Sequence, residues 1–145
     1  EGAPFAAAAE AAGVDQIFIA PPHASEETLA GVARHSRGYI YAVSRVGVTG
    51  AEWESSTDGL ADVVANLKRF GGIPPLLGFG ISTPTHVADA VAAGAAGAIS
   101  GSAITALIAQ HCSDSPGERR TVDDIDALKT ELREFVANMK AATRR

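Results

Sequence analysis

Four short apolar runs, each followed by a stretch with helical periodicity, constrain this chain more than any other feature. They occupy residues 16–20, 39–44, 75–79 and 98–100 and draw on β-branched and aromatic residues. Strands alternating with helices at this spacing predict a parallel α/β sheet with right-handed crossovers. Two architectures fit, the open doubly wound sheet and the closed (β/α)8 TIM barrel. A complete barrel needs about 250 residues, so four units in 145 residues would supply about half of one. Such a half would leave two strand edges unpaired, which proteins seldom leave open.

The helical stretches carry their own boundary signals. The first, over about 4–12, is rich in alanine and ends at Gly13, which suits the left-handed position after a helix. Ser25 can cap the second, with Glu26 and Glu27 favourably placed against the helix dipole and Leu29, Val32 and Ala33 on the buried face; it ends near Gly38. Thr57 or Asp58 would cap the third. There Leu60, Val63, Val64 and Leu67 fall at i, i+3, i+4 and i+7, and Gly71-Gly72 stops the helix. Thr83-Pro84, a cap followed by proline at the first helical position, opens the fourth, which runs to Gly94. Ile104, Leu107 and Ile108 mark a short helix, and residues 113–120 read as a polar loop. The last helix is expected from about Val122, with Ile125, Leu128, Leu132, Phe135, Val136 and Met139 as its apolar stripe.

Composition narrows the function. With 46% hydrophobic and 20% charged residues and a net charge of −5, the chain reads as one globular domain. Its basic residues form no run longer than the pairs Arg119-Arg120 and Arg144-Arg145, which gives no electrostatic reason to expect nucleic acid or an anionic membrane. No apolar stretch reaches the roughly 18 residues of a membrane span, and Glu1-Gly2-Ala3-Pro4 lacks the features of a signal peptide, so the cytoplasm is the expected compartment. A single cysteine, Cys112, and four scattered histidines offer no disulfide and no metal-ligand spacing. Pro4-Phe5-Ala6 reads straight into a helix as though the chain were entered in its middle, so a part of a longer protein is expected.

Chemistry concentrates at three strand ends. Leu76-Leu77-Gly78-Phe79-Gly80-Ile81-Ser82-Thr83-Pro84 is a strand running into two glycines and a helix cap. A dinucleotide fingerprint would need a third glycine at position 83 and an acidic residue after the next strand, where this chain has Ser100-Gly101-Ser102. The next unit repeats the theme, with Ala98-Ile99-Ser100 running into Gly101-Ser102-Ala103 and another helix. Two such turns side by side can aim free backbone N–H groups and helix N-terminal dipoles at one dianion, with Ser102 adding a hydroxyl. In barrels the phosphate site is frequently built at this place. The third feature is Tyr39-Ile40-Tyr41-Ala42-Val43-Ser44-Arg45-Val46-Gly47-Val48-Thr49-Gly50, a strand followed by a long Gly/Thr-rich segment suited to a lid.

These three segments, the last continued by Ala51-Glu52, closely resemble successive segments of the tryptophan synthase α subunit. Phe18-Ile19-Ala20-Pro21-Pro22 resembles the strand before them, and Phe135-Val136-Ala137-Asn138-Met139-Lys140-Ala141-Ala142 resembles that family's closing helix. The resemblance implies strands five to eight of the barrel, with residues 1–145 as a single C-terminal half-barrel domain. It also implies a lyase of tryptophan biosynthesis that cleaves indole-3-glycerol phosphate to indole and glyceraldehyde 3-phosphate. No cofactor of its own is implied; the partner is a pyridoxal-phosphate β subunit, in a heterotetramer. On this likeness Gly50, Gly80, Gly101 and Ser102 would hold the phosphate, Phe79 would line the indole pocket, Tyr41 would sit beside the substrate, and Thr49 would belong to the lid.

The family's glutamate general acid/base and its aspartate that stabilises the indole nitrogen both lie before strand three and have no counterpart here, so this chain alone is expected to be inactive. His23 stands where relatives often carry Asn, in a region that faces the β subunit in that family. Trp53 and the loop at 113–121 have no functional account. Two alternatives stay open: a non-catalytic phosphate-binding half-barrel, completed by dimerisation or a separate N-terminal half, and another phosphate-binding barrel enzyme such as an isomerase of the same pathway.

Overall fold

The computed structural model describes residues 2–43, 59–113 and 121–144. Helix α1 (Ala3–Ala11) leads to strand β1 (Ile19–Ala20), and α2 (Glu26–His35) to β2 (Ile40–Val43). The chain continues through α3 (Leu60–Arg69), β3 (Pro75–Gly78), α4 (Pro84–Ala92), β4 (Gly97–Ala98), α5 (Ser102–Gln110) and α6 (Ile125–Ala141). The capping signals fall where the side-chain chemistry requires. Ser25 accepts from the Thr28 amide at the start of α2, and Thr83, followed by Pro84, accepts from the His86 amide at the start of α4. Gly13, Gly71 and Gly94 end helices with positive φ. Residue 23 is also left-handed, at φ 58, a conformation that His and Asn tolerate better than most side chains.

All four strands are parallel and pair in chain order, β1-β2-β3-β4. A doubly wound sheet reverses its strand order at a switch point, whereas right-handed crossovers that always step the same way lay their helices on one face. The sheet is therefore an arc of a (β/α)8 barrel, about half of it. Register shows which face is covered. Ala20, Ile40, Ala42 and Leu77 point outward under the helices and are fully buried. Ile19, Tyr41 and Leu76 lie side by side on the concave face, and Ile19 is 58% exposed. The outer face carries two adjoining cores. Leu29, Val32 and Ala33 of α2 meet Val63 and Leu67 of α3 over β1 and β2. Leu60, Val87, Ala90 and Met139 close over Ala42 and Leu77.

Several boundaries move from their expected positions. β1 and β4 are two residues each, shorter than the runs at 16–20 and 98–100, because only those residues have a ladder partner at the correct height. Helix α1 starts at Ala3 and buries none of its side chains. Helix α6 begins at Ile125 rather than near Val122. Asp124 caps it through the Asp126 and Ala127 amides, and Val122 is drawn instead into an antiparallel bridge with Cys112. The cap positions Thr57 and Asp58 lie outside the described residues, where α3 is preceded by Gly59 at φ 73. Most of the polar loop, residues 114–120, lies outside them too. Among the described residues no helix is long and apolar enough to cross a membrane, and no group of three or more His, Cys, Asp or Glu is placed to hold a metal ion.

Candidate functional site

The carboxyl ends of β2, β3 and β4 open onto one cavity of about 130 Å³. Tyr41, Phe79, Gly80, Gly101 and Ser102 all line it, together with Ile81 and Ile99. Residues from three separate βα units thus converge on one space. Thr49, Gly50 and Trp53 lie outside the described residues.

Backbone geometry explains the glycines. After β3 the chain turns through Phe79 at φ 72 and Gly80 at φ 70, two successive left-handed residues. Glycine adopts this freely, but for a bulky aromatic it is strained and costs on the order of 1–3 kcal/mol. Strain of this kind clusters at ligand sites, and here it sets the Phe79 ring edge-on to Tyr41, 6.5 Å between centroids and 89° between planes. Gly101 differs. Its φ of −125° is open to any residue, and a Cβ there would meet no described atom within 4 Å. Nothing in the described packing demands glycine at 101. What it preserves is open space before α5, whose first N–H groups have no acceptor within the helix.

Tyr41 is held from the opposite side. A side chain on Gly78 would collide with the Tyr41 phenol, so the bare Cα of Gly78 is the surface on which that ring lies. Burial pushes the Tyr41 hydroxyl above its ordinary value near 10, the nearby Tyr39 phenol adds to this, and the Phe79 backbone amide pulls weakly the other way. Tyr41 is therefore a neutral phenol at physiological pH, able to donate a hydrogen bond but unsuited to act as a base. The seven described lining residues include no carboxylate.

Sequence reasoning missed three contributors. Gly78 was visible within the Gly-x-Gly pattern, and glycine inside a strand is itself a signal of close approach. Ser100 donates its hydroxyl to the Ile81 carbonyl at 2.7 Å and so ties the β4–α5 junction to the β3–α4 loop. His86 Nδ1 accepts from the Ser82 amide at 3.3 Å. No local pattern announces these last two contacts, because each depends on how the loop is folded.

Comparison with known proteins identifies the family and the fold. The family model described as tryptophan synthase alpha chain matches residues 1–143. The tryptophan synthase alpha chain of Corynebacterium efficiens is 65% identical over 145 residues, which is 100% of this chain and 52% of that protein. The same subunit of Vibrio vulnificus is 49% identical over 145 residues, 50% of its length. The chain thus spans about half the length of the curated relatives it matches. Among solved structures, tryptophan synthase from Mycobacterium tuberculosis superposes with a TM-score of 0.73 at 28% identity, over 100% of this chain and 48% of that one. A mutant tryptophan synthase alpha-subunit from Pyrococcus furiosus superposes at 0.65 with 26% identity, over 94% and 50%.

Proposed function

We propose, from the premise that this chain belongs to the tryptophan synthase alpha chain family, that it carries the phosphate-binding part of a site for indole-3-glycerol phosphate. The observation that carries this reading is the convergence of Gly80, Gly101, Ser102, Phe79 and Tyr41 on one cavity from three strand ends. The Gly80 turn and the first amides of α5 supply fixed donors for the phosphate, backed by the α5 dipole, and the Ser102 hydroxyl adds one more. Gly50 would complete the cradle and Thr49 the lid. Phe79 presents an apolar edge to the indole ring, and neutral Tyr41 donates toward the polar part of the substrate.

The complete subunit is then a carbon–carbon lyase of tryptophan biosynthesis. The substrate hydroxyl gives up its proton as its carbon becomes the aldehyde of glyceraldehyde 3-phosphate. The bond to indole C3 breaks with its electron pair going to the ring, and C3 takes a proton. A positioned carboxyl group contributes typically about 10²–10⁴-fold to such transfers, and the described lining has none. The resident chemistry of this chain is binding, and the acid/base groups belong to the first half of the barrel. The subunit needs no cofactor of its own; it hands indole to a pyridoxal-phosphate β subunit in the cytoplasm, with neither nucleic acid nor membrane as partner.

Calorimetric titration with glycerol 3-phosphate tests the reading. The chain should bind it, and Gly80→Asp, which adds bulk and negative charge at the site, should abolish binding. Wild-type affinity in that variant would place the anion elsewhere. The same preparation should release no measurable indole from indole-3-glycerol phosphate, and turnover by these 145 residues would refute the division of labour.

A further inference from the structure

We propose that Ser100 and His86 are positioning residues for the anion site, which they serve by gripping one peptide unit, that between Ile81 and Ser82, from opposite sides. The Ile81 carbonyl accepts from Ser100 Oγ at 2.7 Å, and the Ser82 N–H of the same peptide donates to His86 Nδ1 at 3.3 Å. In a trans peptide the carbonyl and the N–H point in opposite directions, so two bonds on the two ends fix the plane of the unit. Neither residue lines the cavity. Both act through the loop.

The grip falls where it has most effect. The clamped peptide comes directly after Phe79 and Gly80, the two left-handed residues. Such a backbone persists only when its surroundings over-determine it. The Ile81 side chain is 2% exposed and seated in the core beside Leu77 and Val87, which anchors the loop from below. Ser100 immediately precedes Gly101-Ser102, so one hydroxyl holds the first junction at a fixed separation from the second. His86 reaches back from the first turn of α4, where its own amide donates to Thr83 Oγ1 at 3.3 Å. With the plane of the 81–82 peptide set, the preceding amides at Gly80 and Ile81 can turn little, and their direction relative to the start of α5 is settled before any anion arrives. Preorganisation of this kind raises affinity without adding a contact to the ligand.

This inference rests on the phosphate-binding reading of the cavity, and the test separates the two. Inorganic phosphate binding is measured by calorimetry, and amide hydrogen exchange at Ser82 by NMR, on the intact chain. The variants are Ser100→Ala, Ser100→Thr, His86→Ala and His86→Asn, with urea unfolding of each. The alanine variants should each weaken phosphate about five- to tenfold, the scale of one hydrogen bond's net contribution, and speed exchange at Ser82. Ser100→Thr keeps the hydroxyl, and His86→Asn offers Oδ1 where Nδ1 accepts; both should restore affinity to within about threefold of wild type. The double alanine variant should lose less than the product of the single losses, because both residues hold one unit. Wild-type phosphate affinity in both alanine variants, or a loss that the conservative variants fail to restore, overturns the positioning role. If wild type binds no phosphate while Ser82 is protected and His86→Ala exposes it, the clamp stands and the site's ligand is wrong. An unprotected Ser82 amide in wild type removes the clamp itself.

Discussion

A methyl group at position 78 would have to enter space that the Tyr41 phenol already fills. Gly78→Ala therefore cannot be accommodated by a small local shift; the ring must leave the Gly78 backbone or the strands must part. The expected cost is about 1–3 kcal/mol, the range for overpacking a well-packed site. The two positions are coupled: with Tyr41→Ala the obstacle is gone, and adding Gly78→Ala to that background should cost at least about 1 kcal/mol less than it does alone. A double-mutant cycle by urea unfolding reads this directly, and additive costs would show that the ring is not lying on residue 78. The same pair shows what was legible at this scale. Gly80, Gly101 and Ser102 could be found from the sequence because a strand, two glycines and a helix start is a local pattern with a backbone meaning. The purpose of Gly78 is set by a ring on the neighbouring strand, and Ser100 and His86 matter through a carbonyl and an amide, groups that every residue possesses.

Elements end where a cap satisfies them, and α6 supplies a clean case. Asp124 takes the amides of Asp126 and Ala127 at 3.0 and 2.9 Å, while Val122, two residues earlier, belongs to the Cys112 bridge. Asp124→Ala should destabilise the chain by about 1 kcal/mol, since Met139 of this helix closes one of the cores and Phe135 packs against it. Lys129→Ala, which removes only an exposed pair with Asp126, should change stability by less than about 0.5 kcal/mol. Equal effects in urea melts would mean that the cap contributes nothing. The capped starts of α2 at Ser25 and α4 at Thr83-Pro84 were legible to the residue, whereas α2 ends at His35, ahead of the Gly38 expected to stop it. Strand ends were not, because a ladder stops where its neighbour stops; at β4 the apolar run continues to Ser100, whose side chain turns to Ile81. The apolar stripe of α6 was legible as a stripe but not in its width. Leu128 and Met139 are buried, with Phe135 partly so, whereas Ile125 and Val136, on the adjacent side, are 51% and 54% exposed.

Val136 belongs to a pattern that only the whole arc explains. Among the described residues the outer edges of β1 and β4 pair with no strand. Apolar side chains gather at both margins: Ile17 and Ile19, 42% and 58% exposed, beside β1, and Val136 of α6, 54% exposed, in the lining of a cleft of about 530 Å³ between β4 and that helix. An unpaired parallel edge flanked by exposed isoleucine is a template for another strand. Two copies of a four-strand arc offer each other two such edges. Sedimentation velocity on the isolated chain should therefore show association that rises with concentration. Charge placed on the β1 margin should oppose it, as natural edge strands use lysine to do. Ile17→Lys, two residues before the β1 position that pairs with Tyr41, should shift the population towards monomer, and phosphate binding should change by less than about twofold, a difference of about 0.4 kcal/mol. The anion site is built at the carboxyl ends of β2, β3 and β4 and takes nothing from β1. A wild-type chain that stays monomeric at the highest concentrations would mean that its margins are covered, and the open-arc account of this molecule would fail.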